Sequence, residues 1–380
     1  MSSAARRTGG RDKAVARIGI LTLHFHINYG GIIQAAALYR FLEDNGFEPV
    51  LLRKEPENQN AAGRMLRNLL RHLPGQNIGG VREREKARAL HHPFIRRFLP
   101  NRTPPCHNSR ELRAMAQRER LSAVVVGSDQ VWRTEYHQDQ NALVYFLDFV
   151  PPSMRKVSYA ASFGHSEWRY PDKTEAVAAL LGGFDAVSVR ERSGVEICRN
   201  DLACEQCALV IDPTLLVDPR LYAEATAAAE PGSAACLVDY VLDRNAATER
   251  AHALVAEALG GKVRAVRLHA EGKERQVDIG RWLRAFMDAE FVITDSYHGT
   301  IFAILFGKRF VTLGNRVRGL DRFTTLLDSL GLSDRLILDH DLSRLAGLVA
   351  QPVDYLAVQP RLNALREQSR DFLIAALSPS

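Results

Sequence analysis

The sequence predicts an α/β protein made of two successive arrays of alternating strands and helices. The chain has 380 residues, 46% of them apolar, which is more than one core usually organises. Short apolar runs repeatedly end in Gly, Ser, Asp or Asn and lead into a segment of helical periodicity. This alternation restarts after Pro231-Gly232-Ser233. We therefore expect two Rossmann-like domains, each on a parallel sheet, that face a cleft.

The first array opens with a strand, a helix and a second strand, which implies parallel pairing because the helix carries the chain back to the starting edge. Its predicted strands are 17–23, 48–52, 122–126, 156–160, 186–189 and 209–211, and its predicted helices are 32–45, 64–72, 82–90, 172–181 and one that opens at 190–194. In the second array the predicted strands are 235–241, 262–266, 290–294 and 309–313, and the predicted helices are 246–259, 279–288, 299–306, 320–330 and 360–377.

These elements divide the chain into an N-terminal domain over residues 15–230 and a C-terminal domain over 231–355. Residues 1–14 are polar and basic, so we expect a disordered tail and not a signal peptide. Residues 356–380 are expected to form a helix, which in such proteins often packs back on the N-terminal domain. The chain has no run of about eighteen apolar residues, so no transmembrane helix is predicted.

Positive charge is concentrated in an insertion over residues 53–120, which holds sixteen Lys and Arg against six Glu. Because the whole chain carries a formal charge of +6, the rest is net acidic at −4. The insertion is either a solvated surface or a surface for an anionic partner, such as membrane headgroups or a phosphate-bearing substrate. It has few aromatic residues to stack bases, so nucleic acid is not predicted as a partner.

The five cysteines, an odd number, are typical of a protein from a reducing cytoplasm and not of a disulfide framework. Cys204 and Cys207 form a single C-x-x-C, which is more typical of two loop cysteines than of a zinc site, since a closed site needs about four ligands. No metal site is predicted.

His298 is the sharpest candidate for chemistry. An apolar run over 290–294 ends at Asp295 and Ser296, and Gly299 opens the next apolar segment. A buried parallel strand delivers side chains to its carboxyl end in this way, and ligands bind at that end of open α/β sheets. A histidine there can transfer protons near neutral pH or bind an anion. The alternative is a structural histidine with satisfied hydrogen bonds.

Other polar residues also follow predicted strands, each with a structural alternative. The turn at Asn28, Tyr29 and Gly30 offers backbone N–H groups to an anion or hydroxyl, or is simply a tight turn. Ser128, Asp129, Gln130 and Trp132 suit a sugar, or they are a helix cap and a core tryptophan.

Three arginines are candidates for holding an anion. Arg190 directly follows a strand and suits a carboxylate or phosphate, unless Glu191 neutralises it. Arg318 and Arg322, with Arg316, lie at a strand-to-helix junction, where they either receive an anion or belong to a solvated loop. Asp212-Pro213-Thr214 ends another strand, at a turn or cap beside the predicted hinge.

Taken in order, these motifs resemble the polysaccharide pyruvyl transferase family. The matching stretches are 28–31, 34–38, 126–132, 158–164, 188–191, 212–216, 294–300 and 318–323. The resemblance covers about residues 17–331 and implies a fold of the GT-B type. It also implies transfer of a pyruvyl group from phosphoenolpyruvate, the donor substrate, to two hydroxyls of a sugar, which gives a cyclic ketal without a metal or other cofactor.

The resemblance also implies roles for the candidate residues. His298 is the implied acid/base; the implied donor-binding residues are Arg190, Ser296, Gly299, Thr300, Arg318 and Arg322; the implied acceptor-binding residues are Asn28, Tyr29, Gly30, Ser128, Asp129, Gln130 and Trp132. Members of the family often carry Arg-Leu-His-Gly where this chain has residues 296–299. Either Arg318 or Arg322 supplies the charge that Ser296 lacks, or this branch uses a different donor.

The expected setting is the cytoplasm, at the inner face of the plasma membrane. There the protein would act on a lipid-linked saccharide in exopolysaccharide or cell-wall assembly, with the basic insertion toward anionic lipid. Two other functions are compatible with the sequence. One is a glycosyltransferase of the same fold that uses a nucleotide sugar, and the other is a non-catalytic saccharide-binding subunit.

Overall fold

The computed structural model describes residues 15–25, 28–56, 81–136, 142–231, 236–261, 264–268, 276–314, 319–338 and 341–378. Several predictions lie outside these residues: the tail over 1–14, the helix over 64–72, and Gly232 and Ser233 at the predicted domain boundary. Arg316 and Arg318 also lie outside them.

The first sheet has four parallel strands in the order β2-β1-β3-β4. They are β1 (Arg17–Leu21), β2 (Glu48–Leu52), β3 (Ala123–Val126) and β4 (Arg155–Ser158). Two further strands, β5 (Val187–Val189) and β6 (Cys207–Leu209), pair parallel with each other. Single bridges, such as Ala161 with Val189, join β5 to the chain at and just after β4.

The second sheet has five parallel strands in the order β11-β10-β9-β7-β8. They are β7 (Cys236–Tyr240), β8 (Arg264–Arg267), β9 (Ala289–Thr294), β10 (Arg309–Leu313) and β11 (Leu336–Ile337). The prediction of an α/β fold with parallel sheets is confirmed, because every strand pair that the structure describes is parallel.

Helices connect these strands. They are α1 (Tyr29–Asp44), α2 (Val81–Phe98), α3 (Ser109–Arg118), α4 (Thr174–Leu181), α5 (Arg192–Asn200), α6 (Pro213–Leu216), α7 (Arg220–Thr226), α8 (Ala246–Ala258), α9 (Ile279–Asp288), α10 (Tyr297–Leu305), α11 (Asp321–Leu330), α12 (Leu345–Ala350) and α13 (Tyr355–Leu377). The described residues contain no helix long and apolar enough to cross a membrane.

Helix caps explain where two boundaries differ from the prediction. α10 begins two residues before the predicted start, because Ser296 caps it and its Oγ accepts a hydrogen bond from the Gly299 N–H. α13 begins five residues before Pro360, because Asp354 caps it and accepts from the Ala357 N–H. The predicted strand over 209–211 instead ends at Leu209.

One apolar core extends across both sheets. Tyr29 of α1 stacks on Trp282 of α9 with ring centroids 5.2 Å apart, and both residues are fully buried. The Tyr29 hydroxyl donates to the Val277 carbonyl at 2.8 Å. Trp282 in turn meets Tyr240 and Phe302 edge-on. The carboxyl ends of β1 and β9 are therefore held close together, and this brings the candidate residues of the two halves into contact.

The C-terminal helix α13 lies against the first half of the chain. Arg366 Nε donates to the Leu215 carbonyl at 2.7 Å, and the Ser369 hydroxyl accepts from the Ile211 N–H at 3.0 Å. Near the end of the helix, Arg155 donates to the Ala376 carbonyl at 2.9 Å. The helix thus fixes the segment that follows β6.

Candidate functional site

His298 stands on the first turn of α10, directly after the buried strand β9, as the sequence pattern predicts. Its imidazole lies against Gly30 of α1. A Cβ at position 30 would stand 2.1 Å from His298 Nδ1, closer than any side chain can approach. Position 30 must therefore be a glycine for the imidazole to occupy this place. The predicted role of Gly30, binding through its backbone N–H, stays a prediction.

Asp212 faces the other nitrogen of the ring. His298 Nε2 lies 3.7 Å from Asp212 Oδ2, which is an ion-pair distance but too long for a hydrogen bond. Nε2 is buried and has no hydrogen-bond partner among the residues described. Burial lowers the pKa of His298 and outweighs the opposing effect of Asp212, so the imidazole is neutral at rest.

Asp212 itself is fully buried at the end of the segment after β6. Burial acts to raise the pKa of this carboxyl, but the protonated form of His298, the charge of Arg190 and the hydrogen bonds from Thr214 outweigh burial, so its pKa lies below the ordinary value. The Thr214 N–H and hydroxyl both donate to Oδ1. The sequence indicated only a turn or cap here. That cap is present, yet the second oxygen, Oδ2, belongs to the site.

Arg190 is buried among carboxylates and does not face an open pocket. It donates to Asp212 Oδ2 at 2.7 Å, to Asp129 Oδ1 at 3.2 Å and to the Ser128 hydroxyl at 3.2 Å. Burial acts to lower its pKa, but Asp212 and Asp129 raise the pKa by more, so Arg190 stays charged. Its guanidinium carbon lies 4.7 Å from the centre of the Tyr297 ring.

This network contains three of the predicted binding residues, Arg190, Ser128 and Asp129, and their binding roles stay predictions. The arginine is predicted to hold the donor, and the other two to bind the sugar. In the structure they hold one another, and the Ser128 hydroxyl also lies 3.0 Å from Asp212 Oδ2. The alternative partner named from the sequence, Glu191, lies farther away, with Oε2 3.9 Å from Arg190 Nε.

Glu191 lies next to this network. It is buried, its Oε1 accepts from the Phe163 N–H at 3.0 Å, and its Oε2 has no hydrogen-bond partner among the residues described. Burial raises its pKa despite the nearby Arg190. A buried carboxyl with a raised pKa is protonated more readily. Glu191 therefore neutralises less of the positive charge of Arg190 than a fully ionised carboxylate would.

Arg322 is a cation of the site for which the described residues provide no counter-ion. Its guanidinium lies over the rings of Tyr297 and Phe323, at 5.5 and 5.3 Å from their centres. Its Nε is buried without a hydrogen-bond partner, and no carboxylate in the described part of the chain forms an ion pair with it. Burial and the charge of Arg190 lower its pKa to about 10, which still leaves it charged at neutral pH.

Five further predicted binding residues make contacts within the fold. Trp132 is fully buried, stacks on Phe146 at 5.4 Å and donates its indole N–H to the Tyr145 carbonyl, so it cannot lie on a sugar. The Tyr29 side chain is engaged in the core, where its ring stacks on Trp282 and its hydroxyl donates to the Val277 carbonyl.

The other three lie at the start of α10. The Thr300 hydroxyl bonds the Ser296 carbonyl and the Thr312 hydroxyl. A Cβ at Gly299 would stand 2.2 Å from Thr294 Oγ1, so a glycine at this position allows α10 to pack closely against β9. Ser296 is the cap of α10. Asn28, which is exposed, and the buried Gln130 remain predicted acceptor-binding residues.

The described residues contain no group of three or more His, Cys, Asp or Glu that could hold a metal ion. Cys198 and Cys207 are buried, while Cys204 is partly exposed. Around His298 an imidazole thus faces a carboxylate, and the guanidinium of Arg322, which forms no ion pair within the described residues, lies over the ring of Tyr297.

Comparison with known proteins identifies the family. The family model for polysaccharide pyruvyl transferase matches residues 28–316, which is most of the chain. No curated protein is significantly similar in sequence.

Among solved structures, UDP-N-acetylglucosamine 2-epimerase from Rickettsia bellii aligns over 96% of this chain and 97% of its own, with a TM-score of 0.51 and 9% identity. UGT73P12 from Glycyrrhiza uralensis aligns over 94% and 92%, with a TM-score of 0.49 and 8% identity. At such low identity the likeness concerns the fold alone, which is GT-B as predicted.

Proposed function

We propose, from the premise that this chain belongs to the polysaccharide pyruvyl transferase family, that it moves a pyruvyl group from phosphoenolpyruvate to two hydroxyls of a saccharide. The observation that carries the proposal is that Arg322, which forms no ion pair within the described residues, lies over Tyr297, and that the next residue, His298, is neutral and faces Asp212. Such a site offers charge to an anionic donor and a base to a hydroxyl.

Arg322 supports phosphoenolpyruvate as the donor. Phosphoenolpyruvate carries a carboxylate and a phosphate, and guanidinium groups bind both in bidentate fashion. Members of the family often have an arginine where this chain has Ser296. Here the Arg322 guanidinium lies over Tyr297, the residue next to Ser296. This geometry favours the first of the two alternatives, in which a downstream arginine supplies the charge that position 296 lacks.

His298 would carry a proton from oxygen to carbon. The neutral imidazole takes the proton of the first sugar hydroxyl and passes it to C3 of the donor in one concerted step, while the hydroxyl oxygen bonds to C2. Positive charge develops at C2 as the methylene becomes a methyl group, so no carbanion forms at C3, and Asp212 stabilises the charge that the imidazole carries during the transfer. His298 carries the proton only during the transfer, so the imidazole is neutral again when the step is complete.

The second half of the reaction closes the ketal. The bond between C2 and the phosphate oxygen breaks, which leaves an oxocarbenium-like centre, and the second hydroxyl attacks it. The proton of that hydroxyl leaves with the phosphate. Two hydroxyl protons are thus accounted for, one on the new methyl group and one on inorganic phosphate, so the reaction needs no cofactor beyond the donor.

The acceptor in this proposal is a lipid-linked saccharide on the inner face of the plasma membrane, in exopolysaccharide or cell-wall assembly. The basic insertion supports it, because positively charged surfaces are attracted to anionic headgroups. Asn28 and Gln130 would contribute to acceptor binding.

Transfer is tested with phosphoenolpyruvate labelled with ¹³C at C2 and C3 and a panel of saccharide acceptors. We expect one acceptor to give a labelled ketal carbon and methyl group by NMR, with an equal amount of inorganic phosphate. His298→Ala should abolish both signals. A product that contains a transferred sugar from a nucleotide sugar, with phosphoenolpyruvate untouched, would contradict the proposal.

A further inference from the structure

We propose that a basic cavity in the N-terminal half, separate from the site around His298, binds the phosphate or diphosphate group of the acceptor. The cavity has a volume of about 460 Å³. It opens where β1 and β2 end, between the segment after β1 and helix α2. Its identification as an acceptor site rests on the proposed function, but binding of the anion does not.

Arginines outnumber carboxylates among the described residues that line the cavity. Arg53, Arg96 and Arg102 face one carboxylate, Glu55, which pairs with Arg53 at 2.6 Å. Arg96 and Arg102 form no ion pair within the residues that the structure describes, and Arg102 Nε is buried without a hydrogen-bond partner. Burial and the charges of Arg53 and Arg96 lower the pKa of Arg102. Clustered cations of this kind are stabilised by an anion.

His91 is the second, independent sign of a ligand. It lines the cavity and is fully buried, yet neither of its ring nitrogens has a hydrogen-bond partner within the described residues. Burial lowers its pKa to about 4, so the ring is neutral and one nitrogen carries a hydrogen that it could donate. A buried polar group without a partner costs free energy, and a phosphate oxygen in the cavity would remove that cost.

The size and charge favour a phosphoryl group with something attached. The volume lies within the range of small-molecule pockets, about 300–1,000 Å³, and exceeds what one carboxylate would fill. Ligands in parallel sheets bind at the carboxyl ends of the strands, which is where this cavity lies. A diphosphate joined to a sugar fits these properties, whether the other end is a lipid or a nucleoside.

The cavity is separated from the catalytic pair by a single layer of residues. Thr22 lines it, and the Thr22 hydroxyl donates to the Ser128 carbonyl at 3.2 Å, while the Ser128 hydroxyl contacts Asp212. On the other side, His91 meets the ring of Tyr29 edge-on at 5.1 Å, and Gly30 follows Tyr29 under His298. A phosphate bound in the cavity would therefore lie near the catalytic pair, and the sugar joined to it would reach the base around the edge of this layer.

The test is calorimetric titration with inorganic pyrophosphate at low salt. Arg102→Gln and Arg96→Gln should each weaken binding by about tenfold, the usual cost of losing a hydrogen bond to a charged group. Arg97→Gln is the matched control, because Arg97 is the next residue on α2 and does not line the cavity. It should bind like the unaltered protein. His91→Phe keeps the ring beside Tyr29 and should also weaken binding.

Equal binding by the unaltered protein and the Arg102→Gln and Arg96→Gln variants would overturn the inference, and so would an equal loss in Arg97→Gln. Arg96 is exposed, so its variant remains informative if Arg102→Gln fails to fold. Loss of pyrophosphate binding only in Arg322→Met would place the anion at the donor site; the inference would then fail while the proposed function stands.

Two competitors then identify the source of the group: UDP, and a polyprenyl diphosphate in detergent micelles. Displacement of pyrophosphate by either one, dependent on Arg102, supports the site and names its ligand class. Failure of both to compete overturns the assignment to the acceptor. None of these titrations requires turnover, so a failure of the proposed transfer reaction is seen separately, in the assay with labelled donor.

Discussion

His298 owes its position to a glycine in the other half of the chain. Gly30→Ala should displace the imidazole, because the added Cβ would stand 2.1 Å from Nδ1. We expect a fall in kcat of at least about 100-fold, in keeping with the usual cost of a small misplacement of a catalytic group. The measurement is the initial rate of phosphate release.

The matched control is Gly347→Ala in α12, where a Cβ would meet nothing within 4 Å. This variant should keep full activity. Equal activity of the Gly30→Ala and Gly347→Ala variants would contradict the contact between the two halves at His298.

Removing the charge of two arginines of the site should change the stability of the protein to different extents. Arg190→Met leaves the buried Asp212 and Asp129 without their cation, so we expect the free energy of unfolding to fall by about 3–5 kcal/mol. Arg322→Met removes a cation that has no carboxylate partner among the described residues, and it should change that free energy by less than about 1 kcal/mol. Urea unfolding measures both. A larger loss for Arg322→Met would show that Arg322 is a structural residue.

The pKa of His298 sets the acidic limb of the pH profile. Because the base must be neutral, kcat/KM should rise with pH through the pKa of His298, which burial places below its ordinary value of about 6.5. The carboxylate of Asp212 raises that pKa, so Asp212→Asn should move the limb to lower pH. Asp129→Asn, which removes a weaker influence of the same sign, should move it less. A shift toward higher pH in Asp212→Asn would contradict the pairing.

For single residues, the sequence predicted where a side chain lies in the fold better than it predicted which side chains that residue contacts. The end of an apolar strand located His298, since a strand pattern shows where the carboxyl edge lies. It could not show that the partners of Arg190 are Asp129 and Asp212, which lie 61 and 22 residues away, and not the adjacent Glu191. Nor could it tell a sugar-stacking tryptophan from a core one, because Trp132 satisfies both patterns until its neighbours are known.

Among the elements, the C-terminal helix α13 makes the clearest prediction. Leu373 is fully buried in this helix, whereas Leu356, in its first turn, is 90% exposed. Leu373→Ala should lower the free energy of unfolding by about 2–5 kcal/mol through the cavity that it leaves. Leu356→Ala should change it by less than about 0.5 kcal/mol. Similar unfolding midpoints for the two variants would mean that the helix does not pack as described.

Most helices and strands were predictable because the spacing of apolar residues along the chain shows which face of each element is buried. The helix over residues 279–288 and the strand over 309–313 match the prediction to the residue, since a wide apolar face and an apolar run leave little choice. The short helix α3, by contrast, lies in a charged segment with only two buried residues, Leu112 and Ala116, and was not predicted. Ends set by a side-chain cap, such as that of α10, depend on a single hydrogen bond that composition does not indicate.

For the whole molecule, the shared core explains how the two halves make one site. Tyr29 and Trp282 come from different halves and stack at the centre of a continuous apolar cluster. Gly30 lies beside Tyr29 in the chain, so the same packing that joins the halves presses α1 against His298. The alternation of strands and helices predicted two arrays and a parallel fold. The closeness of the arrays depends on aromatic contacts more than 200 residues apart in the chain, which no local pattern reports.

The central claim is that Arg322, unpaired within the described residues, and His298 form a donor site for phosphoenolpyruvate. Calorimetric titration with phosphoenolpyruvate tests it most directly, with Arg322→Met beside the matched control Arg192→Met, which removes an exposed arginine paired with Asp328 at 3.2 Å. We predict that the unaltered protein binds, that Arg322→Met binds at least about tenfold more weakly, and that Arg192→Met binds normally. No binding of phosphoenolpyruvate, together with binding of a nucleotide sugar, would contradict the account.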